Sequence, residues 1–420
     1  MALTLYVDTA RWRAHHKHVQ EQFPGLVPVC KGNGYGFGHE RLAEEATRLG
    51  ADLLAVGTTY EAARIKDFFG GDLLVLTPYR RGEEPVPLPD RVVRSVSSVD
   101  GVYGLVGARV VIEVMSSMKR HGISEQDLPQ LHQAIENVRL EGFAIHLPLD
   151  RTDGSDAVEE VIGWMDRLRA ARLPLHTMFV SHLKADDLAR LQQQFPQTRF
   201  RARIGTRLWL GDHEATEYRG AVLDVTRVAK GDRFGYRQQK AASDGYLVVV
   251  AGGTSHGVGL EAPKALHGVM PRAKGVARAG LATVNRNLSP FVWGGKQRWF
   301  AEPPHMQVSI LFVPSDAPSP RSATNWWRTC GTPPRSSTAS WTARASGSRT
   351  GRPYTRRSCT AFLMPRYRGV RSGRTVLVGE QLGLAPVHLR TVEVEVDGVP
   401  GRVGRRAEHE DVRRAVQHSA

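Results

Sequence analysis

Cysteine is scarce: Cys30, Cys330 and Cys359 are the only three in 420 residues, so no paired disulfide framework can organise the fold. Long apolar runs are missing as well. Nothing approaches the ~18 residues that a membrane span needs, and the opening stretch MALTLYVDTARW has no basic-then-apolar leader pattern. A cytoplasmic protein with no membrane partner is expected. Acidic residues are absent from one extended stretch: between Pro318 and Arg374 there are twelve Arg, no Lys and no Asp or Glu. Twelve of the net +15 charges therefore lie there, and only three remain for the rest of the chain. With the charge so confined, nucleic acid is not the expected partner of the folded part; binding through the Arg-rich stretch is the non-enzymatic alternative.

What is present is a long alternation of elements. A chain of 420 residues has room for a barrel of about 250 residues and a second unit. Leu3 to Val7 alternates as a strand, and Asp8 is placed to cap a helix running to about Phe23. His15, His16 and His18 on that helix have no cysteine or carboxylate at ligand spacing, so they read as an exposed face and no metal site is expected. Strand-like runs follow at 27–31, 53–56, 73–76, 92–96, 110–114, 140–146, 176–181 and 200–204, separated by helical stretches such as 60–68, 157–169 and 185–195. Eight strands in this alternation predict an α/β fold, a closed (β/α)8 barrel of TIM type. From Gly211 the pattern changes to alternating segments rich in glycine, 222–228, 246–250 and 307–312, which predict a smaller, mostly-β domain.

The stretch VPVCKGNGYGFG, Val27 to Gly38, organises the chemistry. A short strand delivers Lys31 to its end and breaks into a loop with glycine at 32, 34, 36 and 38, before a helix from about His39. Glycines let backbone N–H groups approach an anion, and the lysine beside them can serve as a covalent anchor. The run CKGNGYGFGHERLAEEA resembles the cofactor-lysine signature of the alanine racemase family, pyridoxal phosphate enzymes of fold-type III: Lys31, then Tyr35, then Gly38 and His39. The resemblance continues in patches from about Leu5 to Phe312.

That resemblance implies an isomerase, most simply an alanine racemase, that holds pyridoxal 5'-phosphate and moves the Cα proton of a small amino acid between two catalytic bases. The bases would be Lys31 and Tyr236, the latter in GDRFGYR. Cofactor contacts would come from Lys31, Tyr35, His146 (in FAIHLPLD), Ser181, Arg203 (in RARIGTRLWLG, with Arg207 its neighbouring rival), Gly205 and Thr206. Arg120 and Met306 would bind substrate. Glu113, seven residues before Arg120 where many relatives carry a modified lysine, would orient that arginine or else face solvent; Gln307 stands where the family has Asp. A head-to-tail homodimer would bring Tyr236 and Met306 to the partner's barrel. The alternatives are a racemase of another amino acid, a decarboxylase or aldolase of the same fold, and an inactive cofactor-binding barrel.

The expected layout is a cofactor barrel over 1–210, with the first strand free to join the β domain. An incomplete β domain over 211–316 is expected to follow, then a disordered, low-complexity Arg/Ser/Thr-rich segment over 317–375 and a tail over 376–420. The composition of 321–371 is that of a GC-rich gene read out of frame, so a frame loss shortly after Val313 is a reading of this segment.

Overall fold

A computed structural model describes residues 3–83, 86–151, 153–260, 287–318, 320, 326–329 and 340–344. The 376–420 tail, most of the 317–375 segment and the frame-loss reading attached to it lie outside the described residues.

Strand β1 (Leu3–Asp8) runs into helix α1 (Thr9–Gln22), where the Asp8 carboxylate accepts from the Arg11 backbone N–H at 3.1 Å as the N-cap. Eight strands then form a closed barrel: β2 (Val27–Cys30), β3 (Leu53–Val56), β4 (Asp72–Tyr79), β5 (Val92–Val96), β6 (Arg109–Val114), β7 (Arg139–Ile145), β8 (Thr177–Val180) and β9 (Arg199–Ile204). Every neighbouring pair is parallel, and β2 closes the ring on β9 with Val27 opposite Arg203. Helix α2 (His39–Arg48) follows β2, α3 (Thr59–Ile65) follows β3, and α4 (Val99–Tyr103) follows β5. Helix α5 (Leu128–Ala134) follows β6, α6 (Ala157–Ala170) follows β7, α7 (Ala185–Gln194) follows β8 and α8 (Thr206–Leu210) follows β9. Among the described residues no helix follows β4.

The barrel strands are buried on both faces, which is why they read as unbroken apolar runs. Val27, Val29, Leu53, Ala55, Leu74, Val93, Val111, Ala144 and Phe179 fill the interior. The alternate residues, such as Cys30, Leu54, Val56, Val75, Ile112 and Val180, pack outward into the core shared with the helices. Each fully buried Val or Leu stabilises by about 1.5–3 kcal/mol, so this two-sided pattern drives the closure.

After α8 the chain builds a mainly antiparallel sheet from β10 (Thr216–Val228), β13 (Gly245–Ala251), β14 (Leu288–Trp293), β15 (Lys296–Phe300), β16 (Val308–Pro314), β17 (Trp326–Thr329) and β18 (Ser340–Arg344), the last pairing parallel with β1; a short hairpin, β11 (Arg233–Phe234) with β12 (Gln239–Lys240), stands apart. The order is β13-β16-β15-β14-β17-β10-β1-β18, and β10 also pairs with β13, so six of these strands form a circuit. The first strand belongs to this sheet: β1 pairs antiparallel with β10, Leu5 opposite Tyr218. Leu3, Val248, Val250, Phe291, Leu311 and Val313 form its core.

Two expectations are corrected. His16 is not on an exposed face: it is 1% exposed, packed edge-on to Trp12 and Trp209 with ring centroids 4.2 and 5.0 Å away. A histidine among the charged neighbours of α1 hid an inward position beside Trp12 and Val19. Within the segment read as disordered, 326–329 and 340–344 are strands; their Trp- and Thr-containing sequences WWRT and SWTAR have the aromatic and β-branched content that suits a pleated sheet.

Candidate active site

In a strand, side chains two residues apart share a face. Val29, Val111, Ala144 and Phe179 point inward, so Lys31, Glu113, His146 and Ser181, each two residues further on, stand above them at the carboxyl end of the barrel. Arg203 joins this layer from β9, its guanidinium donating to Glu113 Oε2 at 3.4 Å and to the Ile145 carbonyl at 3.1 Å. In a barrel this end is where sites are built.

The loop after Lys31 is held in a left-handed path. Gly32, Gly34, Gly36 and Gly38 all have positive φ, and a Cβ at Gly34 would lie 2.9 Å from the His39 backbone nitrogen. Asn33 Oδ1 accepts from the Gly36 N–H at 3.0 Å, and Tyr35 itself takes φ 54°. This turn lays the Tyr35 ring over the start of α8: a Cβ on Gly205 would come within 2.0 Å of the Tyr35 hydroxyl. The phenol is hydrogen-bonded to the Thr206 side chain. Burial, and secondarily the Cys30 thiol, push its pKa up to about 12 against that bond. Tyr35, Gly205 and Thr206 are thus one contact unit beside Lys31.

The mouth is rich in positive charge. Lys31 opens to solvent, yet its amine pKa is lowered, first by burial among the surrounding atoms, then by Arg120 and Arg203, with Glu61 opposing. His146 is taken down to about 3 by burial, then by Arg203, Arg120, His182 and Lys31. It is therefore a neutral imidazole, and its Nδ1 lies 3.0 Å from the Ser181 hydroxyl. Ser116 fixes the same residue by donating to the His146 carbonyl at 2.6 Å.

The structure brings together Lys31, Tyr35, Arg120, His146, Ser181, Arg203, Gly205 and Thr206 through these contacts and fields. Glu113 is corrected: it is 4% exposed, does not face solvent, and its hydrogen-bonded partner is Arg203 rather than Arg120. Arg207, the rival of Arg203, points away and donates to Gln22 Oε1 at 2.5 Å. Tyr236, Met306 and Gln307 lie in the β region. Tyr236 is 85% and Met306 70% exposed, the Tyr236 ring stands 4.8 Å from that of His305, and the Gln307 carbonyl accepts from the Gly252 N–H. No hydrogen bond, ion pair or ring contact among the described residues joins these three to Lys31.

Two residues at the mouth were missed from the sequence. His182 follows Ser181 with φ 62° and its ring 5.0 Å from His146 at 81°; a non-glycine residue in this region is uncommon, and only the conformation marks it. Glu61, on α3, accepts from the Gly32 N–H at 3.1 Å and the Gly57 N–H at 2.6 Å. Its signal was the Thr58-x-x-Glu61 helix start, where Thr58 accepts from the Glu61 N–H.

Fold and mouth together define a (β/α)8 barrel protein with a lysine at the carboxyl end of its strands and a β sheet attached. Residues 7–190 match the family model described as alanine racemase, N-terminal domain. The chain is 27% identical over 161 residues to the alanine racemase of Campylobacter jejuni subsp. doylei, a match covering 37% of this chain and 48% of that protein. The chain thus spans about half the length of the curated relatives it matches. Among solved structures, it is similar to alanine racemase from Bartonella henselae with covalently bound pyridoxal phosphate (14% identity, 82% of this chain and 100% of that one, TM-score 0.61). It is also similar to histidine racemase from Leuconostoc mesenteroides subsp. sake (16% identity, 74% and 85%, TM-score 0.51). At these identities the likeness shows a shared fold.

Proposed function

We propose that this chain is a pyridoxal phosphate-dependent amino-acid racemase, acting on alanine as a homodimer in the cytoplasm, with Lys31 and Tyr236 as its two bases. The observation that supports it most is the placement of Lys31: an amine of lowered proton affinity at the barrel mouth, flanked by Arg120 and Arg203 and by the Tyr35–Thr206 unit. The residues fit the cofactor. A mouth with several cations and two carboxylates suits an anionic ligand, and the missing Cβ at Gly205 leaves the Tyr35 hydroxyl and the α8 backbone side by side.

When bound, the cofactor supplies the electron sink that makes a Cα proton removable. The chain does the rest. Lys31 would anchor the cofactor covalently, and its Nζ would hold or give up a proton. Tyr35, Ser181, Thr206 and the Gly205 N–H would hold the phosphate, and His146 would lie against the ring. Arg203 would serve the ring nitrogen, where an always-protonated guanidinium would donate a hydrogen bond without giving up a proton. Arg120 and the Met306 N–H take the substrate carboxylate. Tyr236, so exposed in one chain, serves the opposite face of the substrate from a second copy.

The test is absorbance titration with pyridoxal phosphate, borohydride reduction and peptide mass mapping, followed by a chiral assay over alanine, histidine, serine and other amino acids. The adduct should map to Lys31 and vanish with racemisation in Lys31→Ala. Adduct at another lysine, or a Lys31 adduct with no racemisation of any amino acid, would overturn the reading.

A further inference from the structure

We propose that Glu61 is the positioning residue for Lys31: its carboxylate straps the backbone just after the lysine to the β3–α3 corner and keeps the amine at the barrel mouth. Three contacts converge on it. Oε1 accepts from the Gly32 N–H at 3.1 Å, Oε2 accepts from the Gly57 N–H at 2.6 Å, and His39 Nε2 stands 3.8 Å from Oε2. Gly32 is the residue bonded to Lys31, so the strap acts one peptide from the reacting side chain.

The local sequence is shaped around this carboxylate. A Cβ at Gly57 would lie 2.8 Å from Glu61 Oε2 and 3.2 Å from Oε1, so glycine there makes room for the carboxylate. Thr58 caps α3 through the Glu61 N–H at 3.2 Å, yet the Glu61 side chain does not close a reciprocal capping bond. It reaches across to the neighbouring β2 loop instead. Gly32 itself has φ 68° and open space where a Cβ would be, so no side-chain packing at that position fixes it. Burial raises the Glu61 pKa, but His39 and the Gly57 and Gly32 N–H groups outweigh it and the net shift is down. The group is therefore an anion at neutral pH, and its charge opposes the effect of Arg120 and Arg203 on Lys31.

Glu61 acts through Lys31, the reacting amine of the proposed function on which this role rests. The experiment compares wild type, Glu61→Gln and Gly57→Ala as full-length chains in two arms. In the first, cofactor-free protein is labelled with an acetylating reagent across pH and each lysine is quantified by mass spectrometry. Glu61→Gln should move the Lys31 midpoint to lower pH while that of Lys17, 76% exposed, stays fixed. In the second arm, pyridoxal phosphate and borohydride should trap Lys31 roughly tenfold less in both variants, since a small displacement of a reacting group costs one to two orders of magnitude. Unchanged midpoint and trapping, or losses that fall equally on Lys17 and track a lowered Tm, would overturn the proposal. If wild-type Lys31 is not trapped at all, the cofactor reading fails, and the labelling arm still decides the role of Glu61.

Discussion

At the scale of single residues, the mouth combines positions that the sequence exposes with pairings that it hides. Lys31, Tyr35 and Gly38 form a local run, so their grouping is visible without a fold. The partner of Glu113 is not, because it lies 90 residues away on β9 and its identity depends on how the barrel strands stagger. The consequence is measurable. Both side chains are nearly buried, at 4% and 8% exposure, and removing one partner of such a pair leaves an uncompensated charge, typically at about 3–5 kcal/mol. Glu113→Leu should therefore lower unfolding stability by about that much. Glu113→Leu with Arg203→Leu should lose less than Glu113→Leu alone, because no unpaired guanidinium remains. Urea unfolding of the three proteins checks the order; equal stability of wild type and Glu113→Leu would mean that the pair does not form.

Among elements, the barrel strands were legible to within a few residues because inward and outward faces are both apolar, while short or atypical elements were not. Helix α8 has five residues, too few for a periodic signal, and strands β17 and β18 sit in a segment whose arginines mask their β-forming cores. Helix α1 was located but its face was misread, and the error has a physical consequence. His16 is buried with neither ring nitrogen hydrogen-bonded among the described residues. Burial, then His15 and Arg13, lower its pKa from 6.5 to about 3. The unfolded chain takes up a proton on this group near pH 6.5 and the folded one does not until about pH 3. Between those limits the unfolded state binds more protons, so stability is full above about pH 6.5 and falls as the pH drops. The loss approaches about 1.4 kcal/mol per pH unit for one group. His16→Phe, which keeps a ring between Trp12 and Trp209, should remove that part of the slope. His146 shares the same window and will keep its own contribution. Parallel stability curves for wild type and His16→Phe between pH 5 and 7.5 would refute the assignment.

For the whole molecule, the informative feature is that the proposed bases stand on different units. Lys31 ends a barrel strand, whereas Tyr236 follows β11 and is 85% exposed, held by its N–H, which donates to Glu302 Oε2 at 2.9 Å, and by its ring against that of His305. A general base has to be within hydrogen-bond reach of the proton it moves, so an exposed tyrosine on the β unit can work only where another surface covers it. A two-fold dimer supplies that surface twice, because each copy offers the same two patches. Complementation is the resulting expectation. Lys31→Ala and Tyr236→Phe chains should each be nearly inactive alone. After mixing under conditions that allow subunit exchange, half the dimers should be hybrids in which one composite site has both bases, giving about a quarter of wild-type activity. Recovery should follow the appearance of hybrid dimers in native mass spectrometry. If Lys31 and Tyr236 instead acted within one chain, every site in a hybrid would lack one base, and mixing would restore nothing at any ratio.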